Sequence, residues 1–384
     1  MNKLSLIPLI VIAFIGCFAC QTAPDQEQEA PAQPMNLEFE LVKTLEYDYL
    51  GRARLMDYSE DLGLGVLYDD QRDEFILAND EEIIVQKKLS GDSKNSYGAY
   101  FSGALFWKDK LIVFGLGSFY FIYDLDLNKI ERVDLPYSNA TPIVGGFTYN
   151  RIVNDWLFYY GDPREEKATL DPPANPVTIW NLADKSVHAQ LKTPANIPQV
   201  WNPGGIGMST VLFAPSNDRM LLMYPYHPVI YEVDIKEAKF TDSILVEAQN
   251  WEEPDIIKRD FENRIEAMFD ELSYPSFKFL YVNDDLLLTA YESAIPKEEV
   301  AGLPRNILGG EKWMDLQNMY RKPALIAIKG ESAVAEMEFE RGIPTWIGEY
   351  KITTRPIGAE QIEVEEDFIR FYFYKPVLKP IVEE

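Results

Sequence analysis

Cysteine is nearly absent. Cys17 and Cys20 are the only two, and both lie near the start of the chain. The rest has no disulfide framework and no zinc site built on thiolates. Histidine is equally scarce, with His188 and His227 alone. A Ser-His-Asp hydrolase needs a positioned base, and no G-x-S-x-G accompanies them; GMSTV at 207–211 lacks the closing glycine. No H-E-x-x-H occurs either. His188 falls on an expected outer strand and reads as a surface residue. Positive charge is in deficit: 36 Lys and Arg stand against 62 Asp and Glu, a formal net charge of -26. That excludes nucleic acid, whose phosphates need a basic face, and electrostatic adsorption to anionic lipid. No glycine-rich loop leads into a helix with the lysine a phosphate cradle requires.

Apolar and aromatic residues are plentiful. They make up 47% and 13% of the chain, with 22 Tyr and 21 Phe, enough for a core and biased towards strands. The opening MNKLSLIPLIVIAFIGCFAC stands apart. Lys3 gives a positive start, and Leu4 to Ile15 is an apolar stretch too short for a membrane span and broken by Pro8. Cysteine follows small residues twice, at Gly16-Cys17 and Ala19-Cys20. This pattern resembles the lipobox of bacterial lipoproteins, whose cysteine carries a diacylglycerol after cleavage. The resemblance implies a signal peptide over 1–19 and lipidation at Cys20, with Cys17 as the alternative. Residues 20–36 then form a disordered acidic tether: QTAPDQEQEAPAQP has no large apolar residue to bury. Residues 21–34 reach at most about 50 Å.

Residues 119–135, FYFIYDLDLNKIERVDL, read as a β-hairpin turning at Asp, Asn and Lys. Its D-L-D-L-N start resembles an EF-hand loop but lacks the glycine and the closing Glu. Similar hairpins begin at Glu74, Thr178, Val229 and Ala324, and a second hairpin precedes each. Paired hairpins make four antiparallel strands, here a to d, which is a propeller blade. Whole blades are expected at 52–89, 103–135, 147–193, 210–247 and 276–339. About three further strands near the C-terminus need a fourth, and NLEFELVKTLEYD supplies it. The fold class is therefore all-β: a six-bladed β-propeller over 37–384, closed by pairing of the N- and C-terminal strands. Ile257, Phe261, Ile265, Met268 and Phe269 keep a helical spacing, so a helical insertion is expected near 250–272. A long loop is expected near 292–322. Glycines recur just before first strands, at Gly51, Gly103, Gly145-Gly146 and Gly204-Gly205, where backbone approach is close.

An acidic, tethered lipoprotein with six blades and no WD, kelch or Asp-box signature resembles the TolB-like six-bladed propeller lipoproteins of Bacteroidetes, many of them domains of unknown function. The resemblance implies a cell-envelope location, lipid-anchored to the outer membrane or to a periplasm-facing membrane. It carries over no catalytic residue.

The a–b and c–d turns are short, while the b–c and d–a connections include every long segment: 90–103, 160–176, 193–209, 248–275 and 292–323. Long loops on a rigid scaffold concentrate binding sites. That face would carry Tyr97, Tyr100, Trp201, Tyr226, His227, Trp251 and Trp313, aromatic side chains suited to glycans or protein interfaces. The preferred function is a non-catalytic, monomeric binder of an envelope protein or glycan, meeting the membrane only through its lipid, with no cofactor. The alternative is a metal-dependent hydrolase or lyase, with an ion such as calcium held by carboxylates at the channel mouth. Sequence names neither a catalytic residue nor a metal ligand.

Overall fold

The computed structural model describes residues 35–98, 101–115, 117–139, 150–162, 177–194, 197, 211–216, 219–249, 251–252, 272–283, 285–303, 310–338, 345–357 and 367–381. The first strand, β1 (Met35–Asp48), belongs to the last blade. Blade 1 holds β2 (Ala53–Ser59), β3 (Leu64–Asp69), β4 (Glu74–Ala78) and β5 (Ile83–Lys88). Blade 2 holds β6 (Phe101–Trp107), β7 (Lys110–Gly115), β8 (Gly117–Tyr123) and β9 (Lys129–Asn139). Blade 3 holds β10 (Arg151–Val153), β11 (Trp156–Asp162), β12 (Val177–Asn181) and β13 (Ser186–Leu191). Blade 4 holds β14 (Leu212–Ser216), β15 (Arg219–Met223), β16 (Val229–Asp234) and β17 (Lys239–Leu245). Blade 5 holds β18 (Ser276–Asn283), β19 (Leu286–Glu292), β20 (Pro323–Lys329) and β21 (Ser332–Glu338). Blade 6 runs β22 (Thr345–Ile347), β23 (Tyr350–Thr353), β24 (Phe368–Pro380) and then β1. The protein is a six-bladed, nearly all-β propeller.

The alternation of each strand explains why the sheets stack in a ring. Val66 and Leu67 are neighbours on β3, both fully buried, but they face opposite ways. Val66 packs with Val113 and Phe121 of blade 2. Leu67 packs with Phe371 and Phe373 of blade 6. Four similar cores fill the remaining gaps between blades. A central strand buried on both faces reads as a continuous apolar run, as in LIVFG of β7.

Blade 6 takes strands from both ends of the chain. β1 runs antiparallel to β24 from Met35↔Pro380 to Asp48↔Phe368. Leu45 and Tyr47 thereby enter the core shared by blades 6 and 1, and Leu37 enters the core shared by blades 5 and 6.

Every outer strand breaks its ladder at least once, and β9 does so twice. The register leaves Ile84, Ile130, His188, Thr241, Val334 and Val42 unopposed, one in each blade. A bulge twists an edge away from flat pairing and so blunts it against other chains.

Left-handed backbone at the bends is spread over several residue types, Asp73 among them. Asn154 takes a positive φ of 54°, but so do Lys108, Lys185, Ala238 and Leu127. Asn and Asp act instead at the start of c–d turns, as acceptors. Asp124 Oδ1 takes the N–H groups of Asp126 and Asn128, and Asn181 Oδ1 those of Ala183 and Asp184. The D-L-D-L-N stretch thus spends its first carboxylate on its own turn. Gly51 lies just before β2, as expected. A Cβ there would sit 2.4 Å from both the Asp69 carboxylate and the Tyr49 ring.

The segment at 292–322 is not an open loop. Two helices occupy it, α1 (Lys297–Ala301) and α2 (Glu311–Tyr320). They gather around Ile295, Val300, Leu303 and Leu316, together with Leu272 from the connection before β18. The stretch expected to be helical near 250–272 lies outside the described residues, apart from its ends, as do the signal-peptide residues and the tether up to residue 34; Met35 and Asn36, expected in the tether, instead open β1, where they pair with Pro380 and Lys379.

Candidate functional site

Among the described residues, each of the six inner strands pairs with one strand only and has none on its channel side. Their far ends, near the a–b turns, enclose a cavity of about 320 Å³. All six contribute to its wall, which combines polar surface with apolar residues such as Phe106, Ile152, Val282 and Trp346. Three charged side chains also line it, Asp57, Arg151 and Glu349.

Asp57 is presented by a bulge in β2, where the register shifts between Leu55 and Asp57. Its Oδ2 accepts the backbone N–H of Phe106, on the neighbouring blade, at 2.8 Å. Its Oδ1 accepts the N–H of Tyr58 at 3.0 Å. The side chain keeps partial contact with the cavity but is otherwise walled in by protein. Burial pushes its pKa up to about 6; the two N–H groups and the Arg151 charge oppose that rise without cancelling it. Arg151 is the first residue of β10 and donates Nη1–H to the Asn150 carbonyl at 2.9 Å. Glu349 is compensated by Lys375 at 2.5 Å, and its carbonyl accepts the Tyr281 hydroxyl at 2.6 Å. Trp346 packs against Tyr281 and Phe279, at ring distances of 4.3 and 5.3 Å. Its buried Nε1–H has no hydrogen-bond partner among the described residues.

The aromatics expected on the long-connection face are mainly packing residues. Tyr97 is 3% exposed; its hydroxyl lies 3.4 Å from that of Tyr68 and its ring meets Phe75 edge-on. Tyr226 and His227 are buried as well, and His227 Nε2 lies 3.0 Å from the Tyr231 hydroxyl. Trp251 stacks on Phe277 at 4.6 Å. Trp313 packs against the small core beneath α2. These rings are amphipathic, and a loop with few other apolar residues uses them to hold itself down. Tyr100, Trp201, Cys17 and Cys20 lie outside the described residues. His188 sits on outer strand β13, where a ring nitrogen meets the Ile235 carbonyl at 3.0 Å.

What the long-connection face does expose is methionine. Met314 and Met319 on α2 are 55% and 61% exposed. Neither drew attention in the sequence, because a helix was not expected there. Asp57 and Arg151 were missed for a different reason. They sit on different blades, far apart in the chain, and no spacing links them. Among the described residues, no group of three or more His, Cys, Asp or Glu side chains is placed to hold a metal ion.

No family model and no curated protein matches the chain. Solved structures do. A member of the DUF4221 family from Bacteroides vulgatus matches with a TM-score of 0.55 at 9% identity, over 89% of this chain and 98% of that one. A Bacteroides fragilis protein expected to be exported matches with a TM-score of 0.52 at 12% identity, over 90% of this chain and 97% of that one. At such low identity the likeness shows a shared fold.

Proposed function

We propose that this chain is an extracytoplasmic lipoprotein, acylated at Cys20, whose propeller binds a protein partner without catalysis through its long-connection face. The observation that carries this reading is the insertion between β19 and β20. It has its own core, is bonded to the d–a connection through Ile295 N–H to Leu272 O at 2.8 Å, and holds Met314 and Met319 out to solvent. Methionine is flexible and polarisable, and is favoured where a surface must adapt to a partner. The N-terminal lipobox pattern supports the envelope location. So does the Bacteroides fragilis neighbour, whose description points to export.

The test is site-specific photo-crosslinking in intact cells. A photoreactive residue at Met314 or Met319 is expected to give one adduct of defined mass. The same residue at Asp109 or Glu237, in short turns at the other end, is expected to give none. Adducts confined to the short-turn end would overturn the reading, and adducts of glycan instead of protein would change its partner. Cys20→Ala is expected to move the protein to the soluble fraction. If Cys17→Ala alone does so, the acylated residue is Cys17.

A further inference from the structure

We propose that the outer stripe of α2 docks a basic protein surface with an apolar centre. This names the chemistry of the partner at the long-connection face and rests on the binding reading above. Positions three and four apart share one side of a helix. In α2 that spacing joins Glu311, Met314, Asp315, Asn318 and Met319, and all five are exposed. The other side carries Leu316, which is buried, and Trp313, which packs against the same small core. The stripe therefore sets two carboxylates among two methionines.

The insertion does not neutralise these carboxylates. Glu311 and Asp315 stand four apart with the same sign, an arrangement that weakens a helix. Among the described residues, neither forms an ion pair or a side-chain hydrogen bond. Three nearby cations are used elsewhere. Lys312 Nζ donates to the Gly302 carbonyl at 3.3 Å, Lys297 lies over the Tyr274 ring at 5.4 Å, and Arg321 Nη1 donates to Glu292 at 2.9 Å. Lys322 is exposed, but lies past the end of α2. Glu298 on α1 adds another exposed carboxylate. Such a surface repels a second copy of itself and an anionic lipid surface, and complements lysines and arginines. The methionines between the carboxylates adapt to apolar side chains of varied shape. A basic amphipathic segment answers both features.

The test uses the full chain in membranes of the cells that make it, with a photoreactive residue at Met314. Glu311→Lys combined with Asp315→Lys is expected to cut the yield of the protein adduct by about tenfold or more. Asp109→Lys combined with Glu237→Lys, at the short-turn end, is expected to leave it unchanged. Lysine near the start of α2 opposes the helix dipole, so Glu311→Gln combined with Asp315→Asn serves as a second variant. It keeps the side-chain shapes and is expected to lose adduct while cleavage within 292–322 stays the same. Raising NaCl from about 0.05 to about 0.5 M is expected to lower the adduct of the unsubstituted stripe. The crosslinked peptide of the partner is expected to carry Lys or Arg around apolar residues. Adduct yield unchanged by both stripe variants, or lowered equally by the pair at the short-turn end, would overturn the proposal. So would an acidic partner peptide, an adduct insensitive to salt, or an adduct of twice the chain mass. Each of these leaves protein binding at this face standing. Absence of any adduct at Met314 would overturn the binding reading and this proposal together.

Discussion

The Asp57 carboxylate on blade 1 accepts the backbone N–H of Phe106 on blade 2, linking two neighbouring inner strands at the channel wall. This link has a pH signature. Burial raises the Asp57 pKa from an ordinary 3.8 to about 6, so the folded protein holds the proton more tightly than the unfolded chain. The resulting stability is fully present below about pH 4 and is lost as pH rises through 6. Two pKa units correspond to roughly 2–3 kcal/mol. Asn at this position keeps an acceptor for Phe106 but cannot ionise. Asp57→Asn is therefore expected to flatten the dependence of unfolding free energy on pH between 4 and 7. Denaturant melts at several pH values check this; an unchanged slope would mean that Asp57 is well solvated.

The strand β1 is expected to matter far more than the residues preceding it. It places Leu45 and Tyr47 in the core between blades 6 and 1 and provides the covalent link from blade 6 to blade 1. Deleting residues 35–48 is expected to abolish cooperative melting. Deleting residues 21–34 is expected to leave the melting temperature unchanged. Equal effects from the two deletions would show that blade 6 does not need its outer strand.

Phe373 is fully buried, and its ring meets Tyr58 of blade 1 edge-on at 5.3 Å and Tyr350 at 5.5 Å. Phe373→Ala is expected to cost roughly 3–5 kcal/mol by opening a cavity between two blades. Chemical denaturation measures it, and a loss under about 1 kcal/mol would indicate that the blades collapse onto the space.

The outer-strand bulges separate two isoleucines in one blade. Ile130 is unopposed in β9 and 52% exposed, whereas Ile122 is 2% exposed between blades 2 and 3. Ile130→Lys is expected to change stability by no more than about 0.5 kcal/mol, and Ile122→Lys by more than about 4. Similar losses at both sites would mean that the bulge is packed in solution.

Trp313 holds α2 onto its small core. Trp313→Ala is expected to speed proteolysis within 292–322 and leave the melting of the propeller within a few degrees, because the insertion is a local unit. Limited proteolysis with mass mapping reads this out. Unchanged cleavage would make Trp313 a surface residue after all.

The propeller was legible because its signals are local. Each hairpin writes two apolar runs and a polar turn into a short stretch, and ILAN, FIYD, TIWN and YEVD each end on the Asn or Asp that caps the turn after the third strand. The insertion was not legible. Its helices have five and ten residues, and α2 buries only Leu316 fully, too little for a helical period to stand out. The aromatics misled because composition cannot say which way a ring points: Tyr97 and Trp251 stand in polar loops yet face inward. The cavity was invisible for a topological reason. Its wall takes one short piece from every blade, and only closure of the ring brings Asp57 and Arg151 to one channel.

The antiparallel pairing of β1 with β24 also sets how the propeller responds to force. A pull through the residues before Met35 falls first on the rung Met35↔Pro380 and then on each successor in turn, down to Asp48↔Phe368. Rungs loaded one at a time yield at low force, while a sheared ladder would share the load. Leu45 and Tyr47 lie near the last rungs, so their core is stripped only at the end of the peel. Blade 6 therefore acts as a mechanical fuse that gives way before the other five.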